Sequence, residues 1–248
     1  MRPLDILWLL LAGLGGGLAG TIAGLASLVS YPALLALGLP ALSANMTNTV
    51  ALVFNGVGAV WGSRPELAGR PRSLRRLCVV AIAGGVGGAA LLIVTPAHVF
   101  QLVVPILIAG GSLGVVLRRH RAAPHGGPAR PLLLEGAVFL TSLYSGYFGA
   151  AAGVILLAVL LLVSGDGLVR SSAVKNLLLG LANGVAAVTF ALVGPVRWID
   201  VPALAAGFLV GGRVGPEIIR RVPADPLRLA IAAGGLFLAV HLALAAYR

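Results

Sequence analysis

The side chains able to do chemistry in this chain are amides, hydroxyls and one ammonium, and they stand in two stretches of similar pattern. The first runs Ala44-Asn45-Met46-Thr47-Asn48-Thr49-Val50-Ala51-Leu52-Val53-Phe54-Asn55-Gly56-Val57. At an offset of about 128 positions comes Ser172-Ala173-Val174-Lys175-Asn176, followed by Asn183-Gly184-Val185. Asn48 then lies over Asn176, and Asn55-Gly56-Val57 over Asn183-Gly184-Val185. The surrounding residues are almost wholly apolar, where a polar side chain is costly unless it is partnered. Amides and hydroxyls offer hydrogen-bond donors and Lys175 adds a positive charge, so the set can replace part of the hydration shell of a small anion.

The composition says what must position these residues. The chain has 248 residues, 59% of them hydrophobic and 10% charged, with a mean hydropathy of +1.03. That is an all-α integral membrane protein rather than a soluble domain. The net charge of +11 comes from arginines in short clusters between apolar blocks. Such clusters read as determinants of membrane topology, not as a nucleic-acid-binding face. Cys78 is the sole cysteine, so there is neither an internal disulfide nor a cysteine-based metal cluster. It reads as a small buried apolar residue. No metal and no cofactor are expected.

Eight hydrophobic segments follow one another: Ile6 to Pro32, then Ala41 to Gly62, Leu77 to Val94, Val99 to Leu117, Leu132 to Val163, Val169 to Val193, Ile199 to Ile219 and Leu227 to Ala246. Each holds about 18 or more mostly uncharged residues, enough to cross a hydrocarbon core. All should be helices or broken helices, because backbone polar groups in lipid must be satisfied within the segment. The basic, apolar start resembles a leader. Its apolar character runs on to Tyr31-Pro32, however, and the segment has an echo in the second half, so it reads as part of the fold.

The duplication extends beyond the polar stretches. Gly20 and Gly24 precede the first as Gly146 and Gly149 precede the second; Gly84, Gly87 and Gly88 match Gly207, Gly211 and Gly212; Pro96 matches Pro223, and Gly110-Gly111 matches Gly234-Gly235. The chain is expected to divide into membrane repeats at 1–123 and 131–248, joined by a cytoplasmic linker at 124–130 rich in Pro, Gly and Arg. Two topologies compete. If all eight segments cross, 12 of the 18 basic residues share one side. If segments one and five dip in and return, 15 face the cytoplasm, leaving only Arg2, Arg197 and Arg248 outside, which fits the positive-inside rule better. The halves would then be inverted repeats with broken helices, a recurrent design of secondary transporters. The turns are expected at Gly15 to Gly20 and at Ser145 to Gly149.

At this point the residues resemble a family. A glycine-rich broken helix, a Pro shortly after it, and Ala-Asn-x-Thr-Asn-Thr-Val-Ala-Leu at Ala44 to Leu52 resemble the sulfite exporter TauE/SafE family. In the second half, Arg170 to Asn176, Gly194-Pro195-Val196-Arg197-Trp198, and Gly207 to Gly215 followed by Arg220-Arg221-Val222-Pro223 resemble it too. The breaks depart from its usual glycine pattern, reading Gly24-Leu25-Ala26-Ser27-Leu28 and Gly149-Ala150-Ala151-Ala152-Gly153, and Ser172 stands where an Asn is usual. The resemblance implies a multi-pass protein of the bacterial inner membrane that exports sulfite, organosulfonates or similar small oxyanions.

Broken helices aim N-terminal amide groups at the membrane interior, where they favour an anion. The candidate substrate-binding residues are therefore Ser27, Asn45, Thr47, Asn48, Asn55, Gly149, Gly153, Lys175, Asn176 and Asn183. Each also has a structural reading: interhelical hydrogen bonds for the amides and hydroxyls, close packing for the glycines, and a snorkelling, topology-setting role for Lys175. Among the acidic residues, Asp5, Glu66, Asp166, Asp200, Glu217 and Asp225 fall at segment ends or in loops. Glu135 alone sits a turn inside an apolar block, which makes it the candidate proton relay, with an interfacial position near Pro131 as the alternative. The expected partners are a small anionic solute and the lipid bilayer; a homo-oligomer is compatible with the sequence, and no nucleic acid is expected.

Two other classes fit the residues less well. An intramembrane metalloprotease needs His-Glu-x-x-His, and His98, His120, His125 and His241 stand apart; an aspartyl protease needs two embedded Asp, and Ser164-Gly165-Asp166-Gly167 supplies one in a turn-like tetrad. The chain is thus not expected to be an enzyme. A non-transporting subunit or assembly factor would explain an apolar bundle but not polar residues repeated at matched depth.

Overall fold

The computed structural model describes residues 2–68, 72–117, 131–163 and 166–221, with Ala233, Val240 and Leu244. Among these there are ten helices and no strand: α1 (Pro3–Ala23), α2 (Ala26–Ala36), α3 (Ala41–Gly62), α4 (Arg64–Leu67), α5 (Arg72–Val94), α6 (Ala97–Leu117), α7 (Pro131–Tyr147), α8 (Ala152–Val163), α9 (Leu168–Val193) and α10 (Val201–Ile219). The expected eighth segment, Leu227 to Ala246, and the linker 124–130 lie outside the described residues apart from the three named. Proline punctuates the helices where its missing N–H costs nothing, in the first turns of α1, α4 and α10.

The first hydrophobic segment is two helices, α1 and α2. Gly24 ends α1 in the left-handed conformation (φ 77°). There the Gly24 N–H donates to Gly20 O at 2.9 Å, the bond of an αL helix end, and the Leu25 N–H donates to Ala19 O at 3.1 Å. The fifth segment is likewise two helices, α7 and α8. Between them Gly149 has φ 73° and Ala151 φ 59°, and the Tyr144 hydroxyl pins the irregular stretch by donating to Ala150 O at 2.7 Å.

The expected turn at Gly15 to Gly20 is not where α1 ends; those residues are helical, and the break falls at Gly24-Leu25. The reason is packing. A Cβ on Gly17 would stand 2.9 Å from Gly212 N and 2.9 Å from Phe208 O, so the glycine run is the face on which α1 lies against α10.

The same device recurs through the bundle. A Cβ on Gly84 of α5 would stand 2.6 Å from Phe139 O of α7, and one on Gly56 of α3 would stand 3.0 Å from the Cα of Gly180 in α9. The closest helix pairs are α1 with α10, α3 with α10, α5 with α7, α3 with α9 and α5 with α9. In lipid no hydrophobic force drives helices together, so small residues that let backbones approach supply the contact energy.

Large apolar side chains stay exposed on the outside, among them Leu4, Leu7, Leu11, Val57, Leu140, Val188 and Leu192. Three described helical stretches are long and apolar enough to cross a membrane: Pro3–Ala23, Leu74–Val94 and Leu168–Val193. Charges gather at helix ends. Arg220 grips Glu66 through Nε (2.9 Å) and Nη2 (3.0 Å) and also donates to Gly62 O at 3.0 Å, while Arg197 pairs with the buried Asp200 at 2.8 Å.

Glycine packing makes a measurable claim. Gly17→Ala places its methyl against backbone atoms of α10 that cannot give way, and is expected to cost roughly 1–3 kcal/mol, read as a lower unfolding midpoint in detergent. Gly184→Ala, with nothing within 4 Å of the added carbon, should leave the midpoint unchanged or raise it slightly. Equal behaviour of the two variants would rule out the glycine contact as what holds α1 to α10.

Candidate functional site

The two helix breaks meet. Gly24 of the first lies in backbone contact with Gly153 and Val154 of α8, and α3 and α9 cross beside them at Gly56 and Gly180. Around this point lies a partly enclosed cavity of about 50 Å³, several times the space one water molecule needs. Its lining comes from both breaks and both crossing helices. Gly20, Gly24, Ala26 and Ser27 come from the first break, and Ser145, Phe148, Gly149, Ala152 and Gly153 from the second; Thr49, Leu52, Asn55, Gly56 and Ala59 belong to α3, and Lys175, Asn176, Leu179, Gly180 and Asn183 to α9.

Each helix break delivers two opposite ends to this space. The α1 and α7 termini bring carbonyl groups, and the first turns of α2 and α8 come to the same space; there the Leu28 N–H donates to Leu25 O at 3.2 Å, the Ala152 N–H to Gly149 O at 3.2 Å, and the Val154 and Ile155 N–H groups to Ala151 O at 3.0 and 3.3 Å. Lys175 is 1% exposed and its Nζ donates to Gly20 O at 2.8 Å and Thr21 O at 3.0 Å, so the ammonium sits against the negative end of α1. Opposite, Ser145 Oγ donates to Asn183 Oδ1 at 3.0 Å. That bond engages the carbonyl end of the Asn183 amide and leaves its NH2 group to donate. Asn55 Oδ1 is buried and has no hydrogen-bond partner among the described residues. Among the described residues Lys175 is the one ionisable side chain in the lining.

Of the ten residues singled out from the sequence, seven line the cavity: Ser27, Asn55, Gly149, Gly153, Lys175, Asn176 and Asn183. Asn45, Thr47 and Asn48 do not. Asn48 is buried one layer behind, accepting from Ser30 Oγ at 2.6 Å and donating to Ser27 Oγ at 3.3 Å, an arrangement that leaves the Ser27 hydroxyl its own proton. Asn45 Nδ2 donates to Tyr147 O, in the last turn of α7, at 2.9 Å. Thr47 Oγ1 accepts from the Arg197 backbone N–H at 2.9 Å, tying the loop before α10 to α3. The matched pair Asn48 and Asn176 therefore divides its work, one amide holding a serine and the other facing the cavity.

Glu135 stands in the first turns of α7, 3.6 Å from Arg76 Nε of α5, and is not part of the lining. Sequence reading passed over Ser145, Thr49 and Phe148. Ser145 and Phe148 lie in the stretch already marked as a turn and Thr49 in the first polar stretch, so the signals were present. Phe148 contributes packing rather than a polar contact. Its ring packs edge-on against Tyr31 with centroids 5.2 Å apart and closes one wall. Among the described residues no group of His, Cys, Asp and Glu could hold a metal ion.

Comparison with known proteins agrees with this architecture. The family model described as sulfite exporter TauE/SafE matches residues 9–242. The chain is similar to the probable membrane transporter protein YfcA of Escherichia coli strain K12, 25% identical over 225 residues, 88% of this chain and 82% of that protein. It is also similar to the probable membrane transporter protein ORF9 of a Sinorhizobium species, 24% identical over 216 residues, 84% of this chain and 80% of that protein. Since that family model covers nearly the whole chain, and the described helices include several apolar enough to cross a membrane, the protein belongs to the sulfite exporter TauE/SafE family and is a membrane transporter, not an enzyme.

Proposed function

We propose that this transporter exports small sulfur-containing oxyanions, such as sulfite or organosulfonates, across the bacterial inner membrane, and that the cavity between the two helix breaks is its binding site. One observation carries the reading: two helix N-termini, Lys175 and the amides of Asn176 and Asn183 converge on one small space that, among the described residues, is lined by no carboxylate. Each supplies N–H donors or positive charge, and in a water-poor interior such donors hold an oxyanion well. Asn45, Thr47 and Asn48 act from behind by fixing the breaks and the loop against α3.

The same reading includes a multi-pass chain of two inverted repeats, 1–123 and 131–248, with segments one and five re-entrant. The course of the helices supports it. The start of α3 adjoins the start of α10, through the Thr47 to Arg197 bond, and the end of α3 adjoins Arg213 and Pro216 further along α10. The two helices thus run the same way. The α2 helix returns from Gly24 toward the level at which α3 begins, with Ser27 and Ser30 beside Asn48. The α1 and α2 pair then enters and leaves on one side. Export, rather than uptake, rests on the family's description alone.

Flux into proteoliposomes, measured for sulfite, sulfate, thiosulfate and small organosulfonates, tests the site. Loss of one hydrogen bond to a charged group costs roughly 1.5–3 kcal/mol, so Asn176→Ala and Asn183→Ala should each weaken transport about 10- to 100-fold while the protein stays folded. Asn48→Ala should act first on stability, lowering the unfolding midpoint by the loss of two buried bonds. Unchanged flux in both Asn176→Ala and Asn183→Ala would place the site elsewhere.

Topology is tested separately, in a Cys78→Ser background with single cysteines at Ala68, Gly167 and Trp198, all exposed. A membrane-impermeant maleimide should reach Ala68→Cys and Gly167→Cys from one side and Trp198→Cys from the other. Labelling of the Ala68 and Trp198 positions from the same side, with Gly167 opposite, would establish eight simple crossings instead.

A further inference from the structure

We propose that the end of α3 and the adjoining stretch of α10 form a binding site for an anionic phospholipid, with Arg64 and Arg213 receiving the headgroup phosphate beside Trp61 and the apolar outer face of α3 receiving an acyl chain. The site lies apart from the cavity and does not depend on which solute is carried.

Three residues of α3 are exposed: Phe54, Val57 and Trp61. Their spacing of three and four residues sets them on one face of the helix, and beside them α10 exposes Val210 and Val214. The two helices meet at backbone distance along this seam, since a Cβ on Gly58 would meet Leu209 O and one on Gly62 would stand 2.6 Å from Arg213 O. From Phe54 to Arg64 the chain rises about 15 Å at helical pitch, half of a hydrocarbon core of about 30 Å. Phe54 is the neighbour of Asn55, which lines the cavity, so the strip runs from cavity depth to the end of the helix. It is one leaflet long.

At its end, the Cζ of Arg64 lies 5.9 Å and the Cζ of Arg213 5.6 Å from the centroid of the Trp61 ring, within the range at which a cation is drawn to an aromatic face. Indole rings collect at the level of lipid headgroups, and guanidinium groups bind phosphate through paired N–H donors. An apolar strip that ends in a tryptophan under two guanidinium groups has the order of a phospholipid, acyl chain first and phosphate last.

Two carboxylates stand nearby, and each is engaged by an arginine. Arg220 takes both oxygens of Glu66, through Nε at 2.9 Å and Nη2 at 3.0 Å, and its bond to Gly62 O at 3.0 Å fixes that pair to the end of α3. Glu217 engages Arg213 through Nη1 alone, at 3.1 Å. With side chains 40% and 52% exposed such a pair is weak, and it leaves the other donors of the fork to a phosphate. The excess of positive charge follows from the sequence itself. Segments 61–76 and 213–228 carry nine arginines and three Asp or Glu, and the entire chain has seven Asp and Glu. An anionic headgroup is therefore favoured over a zwitterionic one.

The test reads the site from Trp61 itself. Trp8→Phe with Trp198→Phe leaves it as the single tryptophan of three, and the full-length protein in phosphatidylcholine vesicles is titrated with brominated phosphatidylglycerol or brominated phosphatidylcholine, which quench a tryptophan they touch. Phosphatidylglycerol should half-quench Trp61 at a mole fraction roughly fivefold or more below that needed by phosphatidylcholine, and the preference should shrink as salt rises. Arg64→Gln with Arg213→Gln should remove it. If either the tryptophan background or the double variant fails to fold, the same titration of the wild type against Arg64→Gln, whose side chain is exposed, decides: the preference should fall at least about twofold. Equal quenching by the two lipids, or a preference that survives loss of the arginines, would overturn the site. An equal preference at Trp8, measured with Trp61→Phe and Trp198→Phe, would also overturn it, by showing general enrichment of anionic lipid around the protein.

Discussion

A helix broken inside a membrane leaves backbone donors and acceptors where no water reaches them, and this constraint governs the rest of the structure. Each unsatisfied group costs several kcal/mol in hydrocarbon. The protein carries two such breaks, at Gly24-Leu25 and between Tyr147 and Ala152, and joins them. Left-handed glycines close the helix ends, side chains from facing helices cap the carbonyls, and loop carbonyls at Leu25, Gly149 and Ala151 take up N–H groups of the first turns of α2 and α8. The cavity lies where the two breaks, satisfied in this way, meet.

Bringing the breaks together requires helices to approach at backbone distance. Glycine makes that approach available along α1 and α10, α5 and α7, and where α3 crosses α9, because at each contact an added methyl would collide with main-chain atoms rather than with a yielding side chain. The high glycine content, 35 of 248 residues, is therefore a structural requirement of the bundle. Behind the cavity a second polar layer, made by Asn45, Thr47, Asn48 and Ser30, locks α3 to both breaks and to the loop before α10. These side chains are as buried as those of the apolar core and stand behind the cavity rather than in its lining.

The assignment of Lys175 shows how a buried charge acquires two roles at once. The ammonium stabilises the end of α1 and adds positive charge to the proposed oxyanion site. The neutral amide of Asn45 performs the first role at the other break without the second. In the inverted-repeat reading the two halves contribute alike to shape and unlike to charge.

The sequence by itself determined the membrane class, the helical segments described here and most of the polar residues at the cavity. Those features follow from composition, segment length and the cost of placing Asn, Ser and Lys in apolar surroundings, all of which are local properties. It also pointed to breaks in segments one and five, through their glycines, but misplaced the first. A glycine that permits a turn and a glycine that permits a neighbouring backbone look alike in sequence, and only the presence of α10 against Gly13 and Gly17 distinguishes them. Tertiary structure alone decided which face of α3 looks into the cavity. A repeat aligns positions along a helix axis, whereas the rotation of that helix about its axis is fixed by its neighbours; so Asn55 and Asn176 came to the lining and Asn48 was turned behind Ser27. The aim of the Lys175 ammonium was decided in the same way, by carbonyls 154 and 155 residues distant in the chain that only the packing of α9 against α1 brings within reach.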